Sequence, residues 1–289
     1  MGWWKHSRRR LRWGLRESGP APSYGAGVED GCEILPGDRP GSFVLRMAGS
    51  DQSHVDLQDP TRLAFDYVRR IGDVLDACSP PGEPLRVVHV GGAAMTLPRY
   101  VAATRPRSPQ VVLEPEVAMT EAVRAELPLP ARSGIKVRPV DGRRGVAALR
   151  DAYADVVVVD AFADARVPGA LVTAEFLHDV ARVLDRFGLL VLNLTDRAPF
   201  AWSRRVVAGV RAQFPDVLLT AEPATLRARR LGNLVVVASA GPVPVDALRR
   251  RAASAAAPYR VLDAAGVSDS FGGGVPFTDA DTEPSPAPG

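Results

Sequence analysis

The stretch VVHVGGAAMTLPRYVA, residues 87–102, decides how the chain folds. It begins as a nearly continuous apolar run, turns on Gly91 and Gly92, and runs directly into a helical segment. Such a glycine pair is either turn geometry alone or a bare backbone that lets a cofactor lie against main-chain N–H groups at a helix start. The residues downstream decide between the two.

Working outward, the same alternation repeats. QVVLEPE (110–116), IKVRPVDG (135–142), ADVVVVDAFA (154–163) and GLLVLNLTD (188–196) are short apolar runs. They suit strands buried on both faces of a parallel sheet. Helical segments lie between them at LPRYVAATR (97–105), VAMTEAVRAEL (117–127) and TAEFLHDVARVLDR (173–186). The closing runs DVLLTAEP (216–223) and GNLVVVAS (232–239) have no helix-length segment between them and read as an antiparallel hairpin at the sheet edge. Upstream, SFVLRMAGSDQSHVDL (42–57) reads as a hairpin about its GSD turn. Leu63, Tyr67, Ile71 and Leu75 then follow at helical spacing behind Asp59 and Pro60. The expected fold is α/β, a Rossmann-like doubly wound, mostly parallel sheet with an antiparallel edge hairpin, preceded by a small N-terminal β-hairpin unit. The expected organisation is a flexible basic tail over 1–33, hairpin plus helix over 34–80, a Rossmann-like catalytic domain over 81–265 and a loose Gly/Pro-rich tail over 266–289.

Composition excludes several classes. With 46% hydrophobic residues in 289 the chain can bury a sizeable core. The net charge is +3, yet lysine occurs only at Lys5 and Lys136, and the arginines are spread along the chain and not gathered into one aromatic-laced patch, so no nucleic-acid partner is expected. Cys32 and Cys78 form no disulfide framework and no metal-ligand spacing, which fits a reducing, cytoplasmic setting. No apolar run reaches the roughly 18 residues of a membrane span, so no integral membrane association is expected. The Arg- and Trp-rich opening MGWWKHSRRRLRW lacks the apolar core of a secretory signal.

In doubly wound sheets ligands sit outside the carboxyl ends of the strands, and each strand end here carries something polar. Glu114 lies 22 residues after Gly92, where a carboxylate accepts from both hydroxyls of a ribose. Asp141 either accepts from an exocyclic adenine amine or caps the following helix. Asp160 ends a four-valine run, a costly place for a carboxylate unless it is used or paired, and is the best candidate for chemistry. Asp164 and Asp196 lie on loops at the same edge. His89, inside an apolar strand, reads as a hydrogen-bonded core residue, and His54 on the hairpin as a residue that can face the site. No His/Cys/acid cluster has metal-ligand spacing, so no metal is expected.

This layout, residues 34 to about 240, resembles the class I S-adenosylmethionine-dependent methyltransferase fold, and more narrowly the spermidine synthase (polyamine aminopropyltransferase) family, whose N-terminal hairpin most methyltransferases lack. The resemblance implies that Gly91 and Gly92 form the Gly-rich turn, Glu114 is the ribose acid, Asp141 the adenine contact, Asp160 the catalytic aspartate, and Gln52 the hairpin glutamine on the cofactor's sulfur side. It implies decarboxylated S-adenosylmethionine or S-adenosylmethionine as co-substrate, a small-molecule amine as acceptor, a role in polyamine biosynthesis and a homodimer. The chain departs from the family pattern in several places. Ala93, Ala94 and Met95 stand where the family holds the cofactor's free amine with an aspartate, and Ala163 stands at its second loop acid, a role a one-residue insertion would give to Asp164. Leu219 and Ala221 replace the tyrosines of its polyamine tunnel, and Asp66 and Tyr67 its polar helix pair. Asp66, Asp160, Asp164 and Glu222 are the carboxylates available to a polyamine. A methyltransferase and a non-catalytic nucleoside-binding homologue are the alternatives.

Overall fold

The computed structural model describes residues 32–47 and 49–287, so the basic tail expected over 1–33 lies outside the described residues as far as residue 31. The chain enters as a three-stranded antiparallel sheet, β1 (Cys32–Pro36), β2 (Ser42–Met47) and β3 (Ser50–Asp56). The expected hairpin is β2 and β3. β1 is an addition that begins inside the stretch read as flexible, with Cys32 paired to Met47 and buried.

The first helix, α1 (Asp66–Ala77), starts later than Asp59 and Pro60 suggested. Asp56 Oδ1 accepts from Gln58 N at 3.0 Å and Asp59 N at 2.9 Å, and Asp59 Oδ1 from Thr61 N at 3.1 Å. Aspartates that bond nearby backbone N–H groups favour turns over helix, so the helix waits until Asp66 places a carboxylate in its first turn.

Strands and helices then alternate: β4 (Val87–Val90), α2 (Thr96–Thr104), β5 (Gln110–Leu113), α3 (Val117–Glu126), β6 (Ile135–Arg138), α4 (Gly142–Ala147), β7 (Ala154–Val159), α5 (Ala174–Val183), β8 (Leu184–Asp196), α6 (Ala201–Gln213), β9 (Asp216–Ala221), a single turn α7 (Pro223–Leu226), β10 (Gly232–Ser239), α8 (Val245–Ser254), β11 (Arg260–Leu262) and α9 (Ala264–Phe271). They build an eight-stranded sheet in the order β11-β9-β10-β8-β7-β4-β5-β6. β4 to β8 pair in parallel, while β10 is antiparallel to β8 and to β9. The closing pair lies at this end of the sheet, with β11 outermost.

Burial follows position in the sheet. All four residues of central β4 are buried, whereas edge strand β6 alternates and shows Lys136 and Arg138 to solvent, charges that blunt a free edge. Within β7, Val157 and Val159 enter the core beneath α5 and α6, and Val156 and Val158 the core beneath α1. This period-two split is why the run is valine throughout. α1 buries Val68, Ile71, Val74 and Leu75 on the main sheet, so it belongs to that layer and not with the hairpin. The small sheet packs instead through Cys32, Leu45 and Val55 on Met95, Met119 and Val123.

The tail expected to be loose from residue 266 is pinned. α9 runs to Phe271, which packs on Phe200, and Phe277 is fully buried beside Trp202. Trp202 Nε1 donates to Glu283 O at 3.0 Å, and Val167 N to Ser285 Oγ at 2.9 Å. Two phenylalanines outweigh a Gly/Pro-rich composition because each removes a large apolar area from water. Among the described residues no helix is long and apolar enough to cross a membrane.

Candidate active site

A cavity of about 270 Å³ opens at the carboxyl ends of β4 to β7. Gly91 and Gly92, Glu114, Asp141 and Asp160 each follow one of these strands and line it together. Gln52, Ser53 and His54 cover it from β3. The hairpin is held there by Thr96 Oγ1, which donates to His54 O at 3.0 Å, and by Ala94 N, 3.4 Å from Ser53 Oγ. Phe65, Tyr67 and Val68, at the start of α1, close a third side.

The glycine turn answers first to the protein itself. Gly91 has φ +91°, and a Cβ there would lie 2.3 Å from Asp160 O, because β4 and β7 approach closely at this point. A Cβ on Gly92 would meet Val112 Cγ1 at 2.8 Å and Met95 Cε at 2.9 Å. The turn's N–H groups are also engaged: Gly92 N and Ala93 N donate to Glu114 Oε2 at 2.8 and 3.3 Å. Of the two readings of the glycine pair, the geometric one is realised here: the turn lines the cavity as a wall, and Glu114 takes the Gly92 and Ala93 donors. Glu114 Oε1 accepts from Glu116 N at 3.1 Å. Three of the roughly four acceptor positions of a carboxylate are filled, and the side chain is held rigidly at the cavity wall.

Asp141 caps α4, with Oδ1 accepting from Arg144 N at 2.9 Å, so its capping role is realised while it also lines the cavity. Asp160 Oδ1 accepts from Asn193 Nδ2 at 2.8 Å. Loss of water pushes the Asp160 carboxyl from 3.8 up to about 6, against the pull of the Asn193 hydrogen bond, which favours the charged form. Burial raises the neighbouring Tyr67 phenol well above its ordinary value, and the charge of Asp160 adds to the effect. Asp160 and Tyr67 are partly buried side by side at this end of the cavity, and the raised carboxyl is poised to exchange a proton near neutral pH.

Other expected residues are not brought together. Asp164 is exposed, with φ +49°, and is absent from the cavity lining, because the loop turns it outward. Asp66 pairs with Arg69, and Glu222 with Arg230. Asp196, the last residue of β8, accepts from Ser203 N in the first turn of α6 at 2.9 Å. His89 lines the cavity but bonds Gln110 Oε1 through Nε2 at 2.9 Å, and burial lowers its imidazole to about 4. His54 also lines it, with Nε2 3.4 Å from Asp38 Oδ1. Asn193 escaped the sequence reading; its signal was a lone amide within LLVLNLTD. Among the described residues no group of three or more His, Cys, Asp or Glu side chains is placed to hold a metal ion.

No protein-family model and no curated protein matches the chain. Solved structures do. A probable spermidine synthase from Corynebacterium glutamicum ATCC 13032 superposes with TM-score 0.79 at 27% identity, over 86% of this chain and 92% of that one. The spermidine synthase from Thermotoga maritima gives 0.52 at 16% identity, over 85% and 82%. Human methyltransferase-like protein 13, solved with SAH, gives 0.53 at 22% identity, over 65% and 92%. The last two likenesses concern fold alone. With its strand order and its antiparallel N-terminal sheet, the chain has a spermidine synthase-like class I methyltransferase fold, the fold of aminopropyl- and methyltransferases.

Proposed function

We propose that the protein is an aminopropyltransferase that moves the aminopropyl group of decarboxylated S-adenosylmethionine to an amine, with Asp160 as general base. The observation that carries this reading is that Asp160, raised to about 6, shares one cavity with Glu114 and Asp141. Glu114 would accept from the ribose through its remaining acceptor position, Asp141 Oδ2 from the adenine amine, and Gln52 would face the sulfur side. The donor supplies a carbon made electrophilic by the adjacent sulfonium. An acceptor amine with a pKa of about 10.4, the lysine value, arrives protonated at neutral pH. Asp160 binds that ammonium and takes one proton, and Tyr67 and Phe65 shield the pair from water.

A second reading, methyl transfer from S-adenosylmethionine, is favoured by Ala93, Ala94 and Met95, which leave the turn after Gly92 without a carboxylate for the donor's free amine. Incubation with each donor and an amine panel, followed by mass spectrometry, separates the two. Methylthioadenosine that disappears in Asp160→Asn supports aminopropyl transfer, S-adenosylhomocysteine supports methylation, and donor binding without either product supports a non-catalytic nucleoside-binding role.

A further inference from the structure

We infer that the acceptor is a monoamine with an apolar, aromatic-sized body, not a diamine or polyamine; this rests on the aminopropyl-transfer reading above. Two groups of observations point to it, the charges at the Asp160 end of the cavity and the shape of its walls.

Each ammonium of a polycation that leaves water needs a carboxylate or an equivalent set of acceptors. Of the carboxylates the sequence offered, Asp164 is turned outward, Asp66 pairs with Arg69 on the rim of a separate pocket, and Glu222 pairs with Arg230. Glu114, Glu116 and Asp141 do line the cavity, but they follow β5 and β6, with β4 standing between them and β7. That leaves Asp160 as the one carboxylate lining the cavity at the end of β7.

The walls agree. No residue of β9 lines the cavity: Leu219 and Ala221 are fully buried, in the same core as Leu194 and Leu234. On the α1 side, Phe65 and Tyr67 stack with ring centroids 6.1 Å apart, and Val68, Leu97 and Phe162 also line the cavity with apolar surface. Aromatic faces beside a lone carboxylate suit one ammonium on an apolar arm. In the transfer, the ammonium gives one proton to Asp160. The freed nitrogen lone pair then forms the N–C bond to the aminopropyl carbon, and the C–S bond breaks with its pair returning to sulfur, releasing methylthioadenosine and a secondary ammonium.

Calorimetry on the full chain saturated with methylthioadenosine, titrated with 2-phenylethylamine and with putrescine, reads the preference; mass spectrometry with decarboxylated S-adenosylmethionine reads the reaction. Phenylethylamine is expected to bind at least tenfold more tightly than putrescine, and Tyr67→Glu, which adds a carboxylate, to shift the ratio at least tenfold toward putrescine. Should Tyr67→Glu lose its circular dichroism, Phe65→Glu serves the same purpose. Equal or tighter binding of putrescine to the unmodified protein, or binding of neither amine, overturns the inference. Tight phenylethylamine binding with no aminopropylated product overturns the transfer reading, and with it the amine's role as acceptor, while the cavity's preference for a monoamine over a diamine stands.

Discussion

Asn193 Nδ2 donates to Asp160 Oδ1 at 2.8 Å, and Asn233 Nδ2 donates to Asn193 Oδ1 at 3.1 Å, so one strand-borne amide fixes both its own orientation and that of the carboxylate. Arg70, buried on α1, extends the chain by donating to Asn233 O at 3.1 Å and Thr220 O at 2.8 Å. Asn193→Leu removes the donor that favours the charged form of Asp160. The Asp160 carboxyl should then titrate above its present value of about 6, and carbon-13 NMR of the carboxyl reads this without any substrate. A titration unchanged from the unmodified protein would show that the amide does not tune the acid.

Asp160 also ties stability to pH. Its folded value, about 6, lies above the ordinary 3.8. Between these values the folded protein keeps a proton that the unfolded chain has released, so stability falls as pH rises through the window and stays lower above it. Asp160→Asn should remove that fall, gaining about 1–3 kcal/mol at pH 8 and little at pH 4, while lowering turnover roughly 10²–10⁴-fold. Urea denaturation at the two pH values checks the first part; a variant no more stable than the parent at pH 8 contradicts it.

The two glycines of the turn should respond unequally. Gly91→Ala meets a backbone oxygen at 2.3 Å with φ at +91°, whereas Gly92→Ala meets only the side chains of Val112 and Met95. Backbone gives way less readily than side-chain ends, so about 3 kcal/mol or more is expected for Gly91→Ala and about 1 kcal/mol for Gly92→Ala. Equal costs, measured by denaturant midpoints, would refute the close approach of β4 and β7.

The C-terminal segment should behave as core. Phe277 is fully buried against Trp202, and Ala174 N donates to Phe277 O at 2.8 Å. Phe277→Ala is expected to cost about 3–5 kcal/mol, read from the shift in urea midpoint. A cost within about 0.5 kcal/mol, the level of ordinary surface changes, would mean that the segment is dispensable.

The sequence by itself determined the sheet, the hairpin and the strand ends that carry Gly91, Glu114, Asp141 and Asp160, because apolar runs buried on both faces leave a local, periodic trace and polar residues stand out where each run ends. It also placed His89 in the core. Only the tertiary structure decided which side chains share the cavity. Asp160 depends on Asn193 from a strand 33 residues later, and Arg70 reaches acceptors 150 and 163 residues away. Asp66, Asp164 and Glu222 are equally acidic in the sequence, yet partners or loop geometry lead them elsewhere. The anchored C-terminal segment was hidden for the same reason, since its two aromatic anchors act through distant contacts, whereas the start of α1 was delayed by local aspartate turns that compete with the helix.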